Sequence, residues 1–381
     1  MRINNYLKDI TGINRVSKNR ENKYKEASDQ DKNNFYLNEV AKKLHPGKIE
    51  LEVVSIEEAS KTSKTITFTS PDIPLFKAGT YLTLRKQIGE SILTRPYSIS
   101  SSRKDYYKDL KTISITVKNS DEIFSRYLYN DLKVGEKLIS EIGLGEFYYN
   151  PIRDSKNVIG IAGGSGITPF LAMAYDIIDF DLDYTLTILY GSVSLDDIVL
   201  KEKLDNLNSP KIKIVHILSG DNPLFEGEKG FITKDIIKKY MGDDPTFFIC
   251  GPNEMKDFVL ASLEELNIPS RRIRIESYNK IDLLKLSDYP KEMINKVFNI
   301  TINIGLSIKK IKAYAKESIL NALERNGILI NSACRGGSCG YCRLKVIEGE
   351  YYYHPALDGR RRADKEFNYI HSFQDVVSIN L

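Results

Sequence analysis

The sequence is short of cysteine and histidine: four of each in 381 residues. So few cysteines exclude a disulfide scaffold. No run of 18 apolar residues occurs, so no segment reads as a membrane-spanning helix. The opening, MRINNYLKDITG, lacks the apolar core of a secretory signal, and a cytoplasmic protein is expected. An excess of one charge is also missing. Lys plus Arg (55) nearly cancels Asp plus Glu (51), leaving +4. No basic run is interleaved with aromatic residues, which argues against nucleic acid as a partner. No repeat of solenoid period is present. What is there is an ordinary globular balance, 41% apolar and 28% charged. At roughly 100–200 residues per domain, the length predicts two or three domains.

Residues 1–47 read as a polar extension with no packed core. One stretch, NNFYLNEVAKKL, places Leu37, Val40, Ala41 and Leu44 at helical spacing before His45-Pro46-Gly47 stops it. Residues 48–152 alternate short strands with Gly, Pro and Asp turns: KIELEVVSI, KTITFTS, TYLTLRK, YSISSS and KTISITVKN. This pattern predicts a small antiparallel β-barrel. Over residues 153–285 the strands NVIGIAG, TLTILYG, KIKIVHIL and TFFICG alternate with helical stretches, predicting an α/β parallel sheet. A linker, 286–295, leads to a last segment, 296–381. That segment opens with a hairpin, VFNITINI and KIKAY, followed by a helix, SILNALERNG, and a cysteine-rich loop.

Strand NVIGIAG runs into Gly163-Gly164-Ser165-Gly166-Ile167-Thr168-Pro169 and then a helix. A glycine-rich turn of this kind brings backbone N–H groups and a helix N-terminus to a phosphate. Thr168 can cap the helix, and Pro169 suits its first turn. Pro169 stands where the dinucleotide fingerprint has its third glycine, so a tight turn without a ligand stays open. After TLTILYG come Asp196 and Asp197, with no Arg or Lys before Lys201, which favours NADH over NADPH.

In the barrel stands Arg95-Pro96-Tyr97-Ser98. Arg95 can neutralise a phosphate, Tyr97 can stack on a flat ring, and Ser98 can bond a ring nitrogen. Four residues alone also suit an ordinary strand. Their order decides: Arg-Pro-Tyr-Ser, then Gly145-Glu146-Phe147, the glycine loop, and Cys250-Gly251-Pro252. That order resembles the ferredoxin–NADP reductase superfamily. The resemblance implies that Arg95 binds flavin phosphates, Tyr97 stacks on the isoalloxazine and Ser98 bonds near flavin N5. It matches Ser125 to the serine that holds the FAD pyrophosphate. Glu122 stands where the family usually has glycine, so both FAD and FMN remain open. By the same resemblance Gly163, Gly164, Gly166, Thr168 and Pro169 form the NAD(P) pyrophosphate loop. Cys250 lies beside the nicotinamide with Gly251 and Pro252, and Glu276 and Tyr278 end the nicotinamide domain. Cys250, Tyr97 and Ser98 are the implied catalytic residues.

The loop Ala333-Cys334-Arg335-Gly336-Gly337-Ser338-Cys339-Gly340-Tyr341-Cys342 resembles a plant-type ferredoxin loop, with spacing Cys-x4-Cys-x2-Cys. The resemblance implies a β-grasp domain of α+β class and a [2Fe–2S] cluster on Cys334, Cys339 and Cys342. The fourth ligand is missing, because Phe373 stands at the expected cysteine. Three readings stand: the domain is empty, His371, Ser372 or Asp375 substitutes, or the sequence is an altered version of a protein that normally has the cysteine; a zinc site with His354 or His371 is a weaker fit. Residues 296–381 hold 13 Lys or Arg against 8 Asp or Glu, with Arg360-Arg361-Arg362 the densest patch. This is either a solvated face or a surface that steers an acidic partner.

The expected function is an NAD(P)H-dependent flavoprotein reductase that passes electrons to a partner protein, through the cluster if it forms. A cluster-free NAD(P)H:acceptor reductase and a non-catalytic docking or relay subunit are the alternatives.

Overall fold

The computed structural model describes residues 2–25, 47–220, 223, 225–276, 291–304, 306–335, 339, 341–342, 344–347 and 369–370. The chain divides into two compact units, residues 1–45 and 46–381. In the first, helix α1 spans Arg2–Lys25. No helix was expected there, although Ile3, Tyr6, Leu7, Ile10 and Ile13 stand at helical spacing; Ile13 and Val16 are exposed on it. The helix expected over residues 33–44 lies outside the described residues.

The second unit opens with six strands: β1 (Ile49–Ser60), β2 (Ser63–Thr69), β3 (Tyr81–Ile88), β4 (Ser91–Ser98), β5 (Thr112–Lys118) and β6 (Lys137–Leu144). They form one antiparallel sheet in the order β4-β3-β6-β1-β2-β5. In β1, Ile49, Leu51 and Val53 are buried while Glu50 and Glu52 face solvent, the period of two of a half-buried strand. The sheet's outer strands are joined by an Ile99–Ile115 bridge and by Ser100 N–H donating to the Ser114 carbonyl at 2.8 Å. That closure makes the expected barrel, packed with Leu51, Ile66, Phe68, Leu82, Leu84 and Ile115. Two details differ from expectation. The Arg-Pro-Tyr-Ser strand begins at Ser91 and ends at Ser98, rather than running on to residue 102, and β6 was not foreseen.

The second sheet is parallel. Its strands are β7 (Asn157–Gly163), β8 (Thr185–Ser192), β9 (Ile212–Leu218), β10 (Glu228–Lys229), β11 (Thr246–Cys250) and β12 (Ile273–Glu276). They run in the order β10-β9-β8-β7-β11-β12. Central β7 is buried from Val158 to Gly163, which explains its unbroken apolar run. Helix α2 (Thr168–Phe180) follows β7, and α3 (Asn253–Glu265) follows β11. The chain proceeds from β7 to β8 on one side and reaches β11 on the other. The carboxyl ends of β7 and β11 therefore flank the point where strand order reverses, where open α/β sheets bind ligands.

In the last segment β13 (Val297–Ile304) and β14 (Ser307–Tyr314) make the expected hairpin. Helix α4 (Ile319–Arg325) follows, and the Ser318 hydroxyl accepts from Asn321 N–H at 3.1 Å at its start. β15 (Leu344–Lys345) pairs antiparallel with β16 (Tyr369–Ile370). Ile300, Leu320, Leu323, Cys342 and Val346 share one small core.

Candidate active site

A cleft of about 620 Å³ lies between the barrel and the carboxyl ends of β7 and β11. From the barrel it is lined by Arg95, Pro96, Tyr97, Ser98 and Ser125. Gly163, Gly164, Gly166 and Thr168 come from the turn after β7, and Cys250, Gly251, Pro252 and Glu276 come from the ends of β11 and β12. Residues spread over more than 180 positions thus face one space. Pro169 is buried in the first turn of α2 and is not among the lining residues. Tyr278 lies outside the described residues.

On the barrel side, Tyr97 stacks on Phe124 with ring centroids 6.3 Å apart, and its hydroxyl lies 3.4 Å from that of Ser125. Burial pushes the Tyr97 phenol up to about 12, so it is neutral near pH 7. Ser98 is buried beside it at the end of β4. Glu122 lines the same cleft at the start of the short helix Ile123–Arg126.

On the nucleotide side, Gly164 has φ +53, and nothing lies within 4 Å of the place a Cβ would take, so its backbone is open to the cleft. Gly166 is the opposite case. A Cβ there would stand 2.1 Å from the Cys250 carbonyl oxygen, so glycine is what lets the turn after β7 touch the end of β11. Thr168 corrects an expectation: its hydroxyl donates to the Ser165 carbonyl at 2.9 Å, and no side chain caps α2. The Thr168 backbone N–H also donates to the Ser165 carbonyl and Pro169 has none, so no side chain competes with a ligand for the N–H groups that remain at the helix start. The turn is also anchored from below. The fully buried Tyr190 on β8 donates its hydroxyl to the Gly164 carbonyl at 2.9 Å and accepts from Val199 N–H at 3.0 Å. In the sequence Tyr190 looks like an ordinary strand aromatic, and nothing local marks it.

Cys250 is buried and paired in register with Ala162 and Glu276. Burial, then the Glu276 carboxylate, raises its thiol far above the usual range. Cys250 is thus a neutral contact surface rather than a thiolate nucleophile.

The cysteine loop reaches the same cleft through Arg335, which lines it although it comes from the last segment. Arg335 takes φ +57, a left-handed conformation. Cys334 and Cys342 are buried, and Cys339 is exposed. The Cys339 thiol is hydrogen-bonded to Cys334, which raises it; burial and the nearby Cys334 push Cys342 up to about 11. Among the described residues no group of three or more His, Cys, Asp or Glu is gathered tightly enough to hold a metal ion. The three thiols fit a [2Fe–2S] cluster in donor type, and positions 354, 371, 372, 373 and 375, where a fourth donor was sought, lie outside the described residues. Tyr81, buried on β3 opposite Ser98, connects the two regions: burial, then Cys334, Cys339 and Glu276, raise its phenol.

Comparison with known proteins agrees with this layout. Residues 161–260 match the family described as oxidoreductase NAD-binding domain, and residues 307–369 match the 2Fe-2S iron-sulfur cluster binding domain. The second match contains all three loop cysteines and stops before Phe373. The chain is 29% identical over 326 residues to a subunit of the 1,2-phenylacetyl-CoA epoxidase of Escherichia coli (strain K12), covering 79% of this chain and 87% of that one. It is 26% identical over 298 residues to the glycine betaine monooxygenase reductase subunit of Chromohalobacter salexigens, covering 74% and 79%. The solved structure of phthalate dioxygenase reductase superposes with a TM-score of 0.60 at 23% identity, over 87% of this chain and 96% of that one. The chain is therefore an oxidoreductase with an NAD-binding domain and a 2Fe-2S cluster-binding domain after it, folded like phthalate dioxygenase reductase.

Proposed function

We propose that the protein takes reducing equivalents from NAD(P)H into a flavin held in the cleft and delivers them singly to a partner protein by way of the cysteine loop. The observation that carries this reading is the convergence of Arg95 to Ser98, the turn at 163–168, Cys250 and Arg335 on one cleft of about 620 Å³. When bound, a flavin supplies the exchange between a two-electron donor and one-electron acceptors.

The chain's residues supply the positioning. Arg95 binds the flavin phosphate, Tyr97 covers the ring and Ser98 bonds its edge, with Pro96 holding their strand. Ser125 and the Ile123–Arg126 turn receive the rest of the cofactor, FAD or FMN. Gly163, Gly164, Gly166 and Thr168 present the start of α2 to the nucleotide pyrophosphate, with Pro169 setting that turn. Cys250, Gly251 and Pro252 wall the nicotinamide beside Glu276. A neutral thiol there suits hydride transfer, because it places no fixed charge beside the nicotinamide carbon. The domain boundaries 48–152, 153–285, 286–295 and 296–381 belong to this proposal.

Both relatives are named as subunits of multicomponent oxidising enzymes, an epoxidase and a monooxygenase. An oxygenase-type protein is accordingly the proposed electron acceptor. Cys334, Cys339 and Cys342 are the proposed cluster ligands, completed by a donor from the C-terminal stretch. The test is iron and acid-labile sulfide per flavin on anaerobically purified protein, with an electron paramagnetic resonance spectrum after reduction by NADH. About two irons and two sulfides per chain with a reduced [2Fe–2S] signal are expected. Flavin without iron, together with ferricyanide reduction but no cytochrome c reduction, would establish the cluster-free reductase instead.

A further inference from the structure

Glu324 is an acid with almost no access to water: its side chain is 3% exposed. It sits on α4, whose remaining buried residues, Ile319, Leu320, Ala322 and Leu323, are apolar. A buried carboxylate costs heavily unless charges and donors answer it. Here they come from two other segments. Arg95 Nη1 on β4 lies 2.8 Å from Glu324 Oε2, and Arg335 Nη1 in the cysteine loop lies 2.7 Å from Oε1. Thr94 N–H donates to Oε1 at 3.1 Å, and the Thr94 carbonyl accepts from both Arg95 Nη1 (2.8 Å) and Arg335 Nη1 (3.2 Å). Arg335 also donates through Nη2 to Asn321 Oδ1, one turn before Glu324.

We propose that Glu324 is a positioning residue that couples cofactor retention in the cleft to the seating of the cysteine loop, because one carboxylate holds the guanidinium groups of Arg95 and Arg335 together. The proposal rests on the reading of Arg95 as a flavin-phosphate ligand. Two guanidinium groups and one carboxylate leave this ion cluster with a net positive charge, which suits a phosphate. The contacts to Arg95 use Nη1 alone, and a guanidinium has further donors to spare for an anion. Without the carboxylate the two cations face each other unpaired. Loss of Glu324 therefore disturbs the phosphate arginine and the cysteine loop together, although Glu324 lies in neither motif.

The experiment measures FAD and FMN dissociation constants by fluorescence titration of the full-length protein, with hydrogen exchange of the peptide carrying Cys334. The variants are Glu324→Gln, Glu324→Asp, Arg95→Ala and the double variant Glu324→Gln/Arg95→Ala. Glu324→Gln is expected to weaken flavin binding about tenfold and to speed exchange in the loop. Glu324→Asp, which keeps the charge, should recover part of both losses. The flavin effects of Glu324→Gln and Arg95→Ala should not multiply in the double variant, a coupling that general destabilisation would not produce. Folded Glu324→Gln with wild-type flavin affinity and loop exchange overturns the proposal. Arg95→Ala with unchanged flavin affinity overturns the reading beneath it, and with it the coupling. If Glu324→Gln does not fold, Arg335→Gln decides: faster loop exchange together with weakened flavin binding supports the coupling, and any other result overturns it.

Discussion

Gly166 and Tyr190 act on the same turn from opposite sides. The Cβ of Gly166→Ala would meet the Cys250 carbonyl at 2.1 Å, so the turn must move away from β11. The expected outcome is a cost of about 1–3 kcal/mol and a rise of about tenfold or more in KM for NADH, read by unfolding and steady-state assays. Tyr190→Phe removes the hydroxyl that ties Gly164 to Val199. It should cost about 1–3 kcal/mol, since a buried backbone N–H loses its acceptor, and should raise KM more than it lowers kcat. Arg95→Ala and Tyr97→Ala should each release flavin on gel filtration; protein that stays yellow and oxidises NADH normally in both variants would refute the barrel-side assignment. At this scale the motif residues were legible in the sequence because they have unusual chemistry at fixed spacing. Tyr190, Tyr81 and Glu324 were not, because their roles depend on partners 9 to more than 200 positions away.

Between elements, the joint of α2 with the barrel carries a titrating group. Asp176 is buried on α2, with Arg103 Nη2 at 3.2 Å. Burial outweighs the arginine and pushes the carboxyl up to about 6. The folded state thus holds this proton more tightly than the unfolded chain does. Its contribution to stability is present below about pH 4 and is lost as pH rises through about 6. Asp176→Asn should remove this dependence. The stability of the wild type relative to the variant should fall by on the order of 2 kcal/mol between about pH 4 and 7, measured by urea unfolding across that range. A difference that does not change with pH would show that Arg103 neutralises the site completely. Strands and helices were largely legible because their apolar periods of two and 3.6 are local. β6, β10 and β12 were missed because their register is set by neighbours in the sheet. Helix α1 was missed although Ile3, Tyr6, Leu7, Ile10 and Ile13 stand at helical spacing, because the Asn- and Lys-rich composition around them was read as an unpacked extension.

For the whole molecule, the deciding position is the cluster's fourth ligand. Phe373 cannot bind iron, and the matched family segment ends at residue 369. Phe373→Cys should raise iron per chain toward about two if the register of the C-terminal stretch is right. Iron that stays at the wild-type level would place the fault in the C-terminal stretch as a whole rather than in one side chain. Cys250 offers no substitute, because it is held between β7 and β12 and buried.

The sequence by itself determined the order of the parts: barrel, parallel sheet, then cysteine loop. It also determined the residue types able to hold a flavin, a nicotinamide and iron. Those signals are local, since a glycine turn, an Arg-Pro-Tyr-Ser strand and a Cys-x4-Cys-x2-Cys loop each carry their chemistry within a few residues. Only the tertiary structure decided that these parts share one cleft. It also showed that the glycine turn rests on Tyr190, that Cys250 is a neutral wall, and that Glu324 binds the arginines of two motifs. The physical reason is burial: the energy of a charge or hydroxyl depends on what surrounds it once water is excluded, and those neighbours come from distant parts of the chain.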